Sequence, residues 1–212
     1  KWIMPGTYYS VSHIASQGRL KLRLIYMDTN LYFLNMGKPT FCSKQEEPTP
    51  TKEQMDAKNI QYEWLDKQME DATSNDEIII LNGHIPIQCN NHKFDLEKFK
   101  KSIKKQKEQG VLLPNFATEN YSHELEKDIT SLYQKYRIAL YICADTHNKQ
   151  IIQGNGEVPT QLVCGTGGTS LDAILFDERT DIGKRTIFAQ ESYGFCYVSV
   201  NNLREIRIDV YH

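Results

Sequence analysis

The sequence lacks the apolar length and the charge imbalance that mark several large classes of protein. Its apolar runs, such as 78–81 and 138–143, are far shorter than the roughly 20 residues that a membrane-spanning helix needs. We therefore expect a soluble protein with no membrane partner. Its 25 Lys and Arg residues nearly balance its 27 Asp and Glu residues, for a formal charge of −2. Because no strong positive field results, we expect no nucleic-acid partner either.

Cysteines are few, and their spacing excludes a zinc knuckle. The chain has five, none of them in a Cys-x-x-Cys pair: Cys42, Cys89, Cys143, Cys164 and Cys196. Three of them lie in apolar runs typical of strands, so we predict buried free thiols. A nucleotide-binding P-loop is excluded as well, because no Gly-Lys-Ser/Thr follows the glycine-rich stretch 165–168. We predict a tight turn there.

What is present indicates a single α/β domain over residues 1–212. With 40% hydrophobic residues, the chain is long enough to bury one sizeable core. Apolar periodicity and turn signals predict helices at about 51–71, 95–109 and 122–136, and strands at 77–81, 138–143, 161–164, 195–200 and 204–210. They also predict a hairpin within 11–28 and another around 201–202. The first residues lack an initiator Met, so we expect the natural start to lie upstream.

Two histidines stand out because each follows directly after a predicted buried strand. His84 follows the strand 77–81, and His147 follows the strand 138–143. Ligands of open α/β sheets bind at the carboxyl ends of strands, and imidazole is a good ligand for zinc, iron and other first-row metals. A single histidine of this kind is more often structural. Two at equivalent strand ends leave the metal-binding and the structural interpretations both open.

An ordered set of short motifs resembles the calcineurin-like metallophosphoesterases. The motifs are Gln-Tyr-Glu-Trp-Leu at 61–65, Gly-His-Ile-Pro at 83–86, Lys-Tyr-Arg at 135–137, His-Asn-Lys-Gln at 147–150 and Gly-Thr-Gly-Gly at 165–168. An opening Trp-x-x-Pro-x-x-Tyr-Tyr at 2–9 and the pair Asp-Thr at 28–29 are similar to the purple, or tartrate-resistant, acid phosphatase branch. The resemblance implies a two-sheet β-sandwich flanked by helices, of which this chain is the C-terminal half.

The resemblance also implies a binuclear metal centre of iron, zinc or manganese. His84 would ligate one metal. The family's later Gly-His-x-His motif falls on residues 144–147, where His147 retains the ligand of the other metal. Asp145 replaces the motif's first histidine, and a carboxylate can also ligate these metals. His92 lies near the position where animal members place a substrate-facing general acid, although its spacing differs by one and a solvated loop histidine is the alternative.

The chain lacks the ligand motifs that the family carries in its N-terminal half. An Asp-x-His, a Gly-Asp-x-x-Asp and a Gly-Asn-His motif supply most ligands there, and none of them precedes the motifs quoted above. Two metals that each need roughly four to six donors cannot be held by the remaining residues alone. The expected partner is therefore an N-terminal half, in an upstream segment or a separate chain. Without it, an apolar inner sheet face should be exposed.

Two functions remain open from the sequence. The first is a metal-dependent phosphate-ester hydrolase that becomes active only when the N-terminal half completes it. The alternative is a degenerate phosphatase fold that serves as a non-catalytic structural or interaction module, with the altered residues at 144–146 as the sign of lost chemistry.

Overall fold

A computed structural model describes residues 5–15, 20–32, 52–90, 123–168, 170–174 and 177–212. It contains a 3-10 helix at Thr29–Tyr32 and the α-helices α1 (Lys52–Ser74), α2 (His123–Lys135) and α3 (Asp181–Arg185). The strands are β1 (Tyr9–Ala15), β2 (Leu20–Tyr26), β3 (Ile78–Asn82), β4 (Ile138–Cys143), β5 (Lys149–Ile152), β6 (Gln161–Cys164), β7 (Thr186–Gln190), β8 (Phe195–Val200) and β9 (Ile206–Tyr211). Within these described ranges, no helix has the length and apolar character to cross a membrane.

The long helix α1 forms because its apolar residues recur every three or four positions. Leu65, Met69 and Ala72 share one face and are fully buried. The helix is followed by Asp76, which adopts the left-handed conformation (φ 56°) that commonly reverses the chain after a helix. The chain then enters β3, where Ile78 to Leu81 are all buried, as expected for a strand covered on both faces.

The strands form one seven-stranded sheet and one two-stranded sheet. The large sheet is mixed and has the order β1-β2-β3-β4-β6-β5-β7. Its centre is parallel, since β2 pairs with β3, β3 with β4 and β4 with β6 in the same direction. β1, β5 and β7 are antiparallel to their neighbours. β8 and β9 form a separate antiparallel hairpin.

The large sheet lies between the helices and the small sheet. On one face, α1 and α2 pack against strand residues that include Leu81 and Tyr141. On the other face, Ile80, Leu140, Ile151 and Leu162 pack against β8 and β9. Alternate residues of β3 and β4 therefore serve opposite cores, because successive side chains of a strand point to opposite faces. The result is a two-sheet sandwich with helices on one outer side.

The observed architecture confirms the predicted α/β two-sheet sandwich. The helix predicted at 51–71 is observed at Lys52–Ser74, and the hairpin around 201–202 joins β8 to β9. The helix predicted at 95–109 lies outside the described residues. The expectation of a bare inner sheet face is wrong in part, because β8 and β9 belong to this chain and cover residues of that face. Of the cysteines, Cys89 and Cys143 are buried free thiols, whereas Cys164 and Cys196 are half-buried.

Candidate functional site

The ends of β3 and β4 bring two of the predicted metal ligands together. The two strands are parallel neighbours, and their hydrogen bonds continue past the strand ends. The Gly83 amide donates to the Ile142 carbonyl over 3.0 Å, and the Ala144 amide donates to the His84 carbonyl over 2.9 Å. As a result, the Nε2 atom of His84 lies 3.5 Å from Oδ1 of Asp145. Both side chains are accessible, with 60% and 23% of their surfaces exposed.

The backbone beneath His84 is tightly packed. A Cβ atom at Gly83 would lie 2.4 Å from the Tyr141 hydroxyl and 2.8 Å from Cγ2 of Thr29. That hydroxyl donates a 2.6 Å hydrogen bond to the Ile85 carbonyl, and burial raises the pKa of Tyr141, so the donor keeps its proton. The Thr29 hydroxyl accepts from the amides of His84 and Ile85 over 3.2 and 3.3 Å. Only glycine fits at position 83 without displacing these groups.

Helix α1 fixes the neighbouring end of β2. The side chain of Gln61 is fully buried, and its Oε1 atom accepts a 2.8 Å hydrogen bond from the Asp28 amide. Its Nε2 atom donates to the carbonyl of the same residue over 3.1 Å. Because Thr29 follows directly, this amide clamp also sets the position of the hydroxyl that holds His84. The Gln-Tyr-Glu-Trp-Leu and Asp-Thr motifs of the sequence therefore meet in space.

Two buried glutamines hold the segment that follows His84. Oε1 of Gln161 in β6 accepts from the Ile87 amide at 2.8 Å and the Gln88 amide at 3.3 Å, and its Nε2 donates to the Gln88 carbonyl. Oε1 of Gln150 in β5 accepts from the Asn90 amide at 2.9 Å. In the described part of the chain the segment 87–90 belongs to no strand, and these two side chains instead bond backbone groups of Ile87, Gln88 and Asn90.

Asp145 adopts a backbone conformation that most residues avoid. Its φ angle is 53°, in the left-handed region where aspartate is among the few tolerated residues besides glycine. The backbone of Gly165 packs directly against this turn. A side chain would not fit there, because a Cβ atom at Gly165 would lie 1.9 Å from the Thr146 carbonyl oxygen. This turn directs the Asp145 carboxylate towards His84 and places His147 further along the chain.

His147 lies beside a carboxylate that sequence reasoning missed. Its backbone amide donates a 2.9 Å hydrogen bond to Oδ2 of Asp172, and its Nδ1 atom lies 3.5 Å from the same oxygen. In return, the Asp172 amide donates to the His147 carbonyl over 3.0 Å. Nδ1 of His147 is buried and finds no hydrogen-bond partner among the described residues. Asp172 lies in no recognisable sequence motif. Nothing in the sequence therefore indicated that it contacts a residue 25 positions earlier.

The donor atoms present can serve only part of a metal site. Two ligands on one tetrahedral zinc ion are separated by roughly 3.4 Å, so His84 and Asp145 have a suitable separation to share a metal. The described part of the chain, however, contains no group of three or more His, Cys, Asp and Glu side chains that could hold an ion. His147 accordingly forms no such group with His84 and Asp145. The residues described do not, by themselves, fit a binuclear centre. His92 lies outside the described residues.

The solved structures that share this fold include those of two larger proteins. That of GAP50, described as the anchor in the inner membrane complex of Plasmodium, superposes with a TM-score of 0.62 at 18% identity over 99% of this chain. That of purple acid phosphatase PPD1 from yellow lupin (Lupinus luteus) seeds superposes with a TM-score of 0.50 at 18% identity over 93% of this chain. No protein-family model and no curated protein matches the sequence.

The similarity extends to only part of each of these larger chains. This chain spans 51% of the GAP50 chain and 29% of the phosphatase chain. At such low identity, the comparison establishes the fold alone. This chain shares its fold with GAP50 and with the purple acid phosphatase PPD1, and the covered shares are consistent with half of a domain.

Proposed function

We propose that this chain is one half of a phosphatase-type fold retained as a non-catalytic structural or interaction module. The donor set at the strand ends carries the proposal. His84 is paired with Asp145, and the Asp172 carboxylate beside His147 already accepts the amide of that residue. Among the described residues, no third metal-binding side chain joins either pair. A phosphoesterase needs both metals fully coordinated before water can attack phosphorus.

The similarity to GAP50 supports a role of this kind. GAP50 is described as an anchor in a membrane complex, and it superposes on 99% of this chain. An anchor requires a rigid fold and a contact surface but no complete metal centre. We therefore propose that this chain, too, contributes surface and stability to an assembly rather than chemistry, since one fold commonly supports unrelated functions.

The proposed first partner is an N-terminal half of the same fold. Among the described residues the small sheet has two strands, and its outer face presents the exposed aromatic side chains of Phe195, Tyr197 and Tyr211. Phe195 and Tyr211 stack with their ring centroids 4.8 Å apart. Exposed apolar clusters of this type mark surfaces that another polypeptide covers. A second half that packs on this outer face would cover it, and the similar structures are longer than this chain by enough to contain such a half.

A phosphate-ester hydrolase completed by that second half is the other candidate function. The 3.5 Å separation between His84 and Asp145 favours it, together with the left-handed backbone that directs Asp145 towards the histidine. Strained conformations of this kind cluster at functional sites. In this case the second half would have to contribute most of the metal donors, and the substrate would be a phosphate ester.

An assay of phosphate-ester hydrolysis distinguishes the two functions. An aryl phosphate is incubated with iron, zinc or manganese and either the isolated chain or the chain with any polypeptide that co-purifies with it. We expect neither preparation to exceed its matched His84→Ala variant, because no complete metal site forms. Metal-dependent turnover by the completed material that is lost in His84→Ala would instead establish the hydrolase.

A further inference from the structure

Two cysteines face each other between the large and the small sheet. Cys164 ends β6, and Cys196 is the second residue of β8. Cys196 packs against the buried cluster that contains Leu162, and Leu162 lies two residues before Cys164 on the same face of β6. The Thr166 hydroxyl donates to the Gly194 carbonyl over 2.9 Å. The hydrogen bond between residues 166 and 194, together with the packing of Cys196 on the Leu162 side of β6, places the two cysteines next to each other between the sheets.

A buried cation lies beside this pair, although Cys196 itself packs against the apolar cluster between the sheets. Lys149 is the Cα partner of Cys164 across the β5–β6 ladder, and its side chain is fully buried. Its Nζ atom donates to the carbonyls of Tyr193 and Tyr211 over 3.2 and 2.9 Å, which holds the ammonium close to the thiols. A buried cation beside a thiol favours the thiolate, the form of cysteine that reacts.

The two thiols have different roles in the pair. Hydrogen bonding by Cys196, the largest cause, and the positive charge of Lys149 hold the pKa of Cys164 below its usual range. The pKa of Cys196 is raised, because its proton is held in the hydrogen bond to Cys164. Cys143 offers a contrast, since burial raises its pKa well above the usual value. Cys164 is thus the more acidic thiol of the two, and Cys196 the one that keeps its proton.

We propose that Cys164 and Cys196 form a redox-active pair, which a low-molecular-weight disulfide converts to an intramolecular disulfide that joins the two sheets. The Cys164 thiolate attacks one sulfur of the small disulfide and releases a first small thiol, leaving a mixed disulfide on Cys164. Cys196 then loses its proton, attacks the Cys164 sulfur and releases the second small thiol. The two protein thiols are oxidised by two electrons, and the small disulfide is reduced to two thiols that carry the two protons.

The new bond would tie β8 to β6 directly. Both cysteines are half-buried, so a small oxidant can reach them without unfolding of the sandwich. In the reduced form, side-chain packing and a few hydrogen bonds hold the small sheet in place. A disulfide between residues 164 and 196 would close a loop in the unfolded chain and so reduce its conformational freedom. We expect this to raise the Tm by roughly 5–10 °C.

The test is oxidation of the folded 212-residue chain with oxidised glutathione at neutral pH. Intact mass should fall by two hydrogen masses, and a non-reducing digest should show residues 164 and 196 in one linked peptide pair. In Cys196→Ser, the reaction should stop at one glutathione on Cys164, because the resolving thiol is absent. The Cys42→Ser variant retains both members of the pair and should form the same disulfide as the wild type.

Other results would overturn the proposal. A disulfide between any other pair, or a wild-type chain that keeps glutathione on Cys164 as long as Cys196→Ser does, would show that the two thiols do not react with each other. Absence of any reaction at Cys164 in the folded wild type would show that the site is inert. Alkylation of Cys164 at a rate no higher than that of Cys143 would remove the basis for its role as nucleophile, since we expect a difference of about tenfold or more.

Discussion

At the scale of single residues, the position of His84 depends on the absence of a side chain just before it. Gly83→Ala would place a methyl group within 2.4 Å of the Tyr141 hydroxyl and 2.8 Å of Thr29 Cγ2. The hydroxyl groups of both side chains hold them in place through hydrogen bonds, so the strand end must move. We expect a loss of about 1–3 kcal/mol in the free energy of unfolding, as for other overpacked sites.

Urea denaturation measures this loss, and a second glycine provides the control. No atom within the described residues lies within 4 Å of a Cβ atom at Gly167, so Gly167→Ala should change stability by less than about 0.5 kcal/mol. Equal urea midpoints for the two variants would mean that the strand end is not packed as described.

At the scale of elements, the segment after β3 is held by side chains rather than by a neighbouring strand. Replacing Gln161 with Met leaves the amides of Ile87 and Gln88 without their acceptor in the interior. Each such loss costs about 1–3 kcal/mol. We expect hydrogen exchange of amides in 85–90 to accelerate by roughly tenfold or more, which mass spectrometry of exchanged peptides can detect. Gln153→Met, at an exposed position, should leave exchange in 85–90 unchanged. Equal acceleration in both variants would show that Gln161 does not hold this segment.

The elements that sequence analysis predicted share a simple apolar pattern. The runs at 78–81 and 138–143 are apolar throughout, and α1 repeats its apolar residues at helical spacing, so pattern alone identifies them. β5 was not predicted individually, because it begins Lys149-Gln150, two polar residues that are nevertheless fully buried. Their burial depends on carbonyls and an amide contributed by distant segments. Such partners exist only in the folded chain, and hydropathy cannot indicate them.

In the candidate site, too, sequence patterns predict one contact and miss another. The proximity of His84 and Asp145 follows from two parallel strand ends, which sequence patterns reveal. The contact between His147 and Asp172 follows from a turn and a loop that carry no recognisable pattern. The missing motifs already predicted that this chain carries too few metal ligands. Which of the remaining side chains lie next to each other could be seen only in the structure.

At the scale of the whole molecule, the outer face of the small sheet should make the isolated chain associate. Phe195 and Tyr197 are 60% and 57% exposed on this face. We expect light scattering to detect dimers or larger species in the wild type. Phe195→Lys with Tyr197→Lys should reduce them severalfold, because charge opposes burial of this face. Leu203→Lys, at an exposed turn position, should not. A stable wild-type monomer at the same concentration would contradict this role for the face.

The central claim, that this half-fold is a non-catalytic module, is tested most directly by its metal content. Zinc, iron and manganese are measured after purification, with any co-purifying chain present, in the wild type, Asp145→Asn and Asp145→His. Because no third donor joins His84 and Asp145 among the described residues, all three proteins should contain only background metal. Near-stoichiometric metal in the wild type, lost in Asp145→Asn and retained in Asp145→His, would contradict the account and identify Asp145 as a ligand of a working centre.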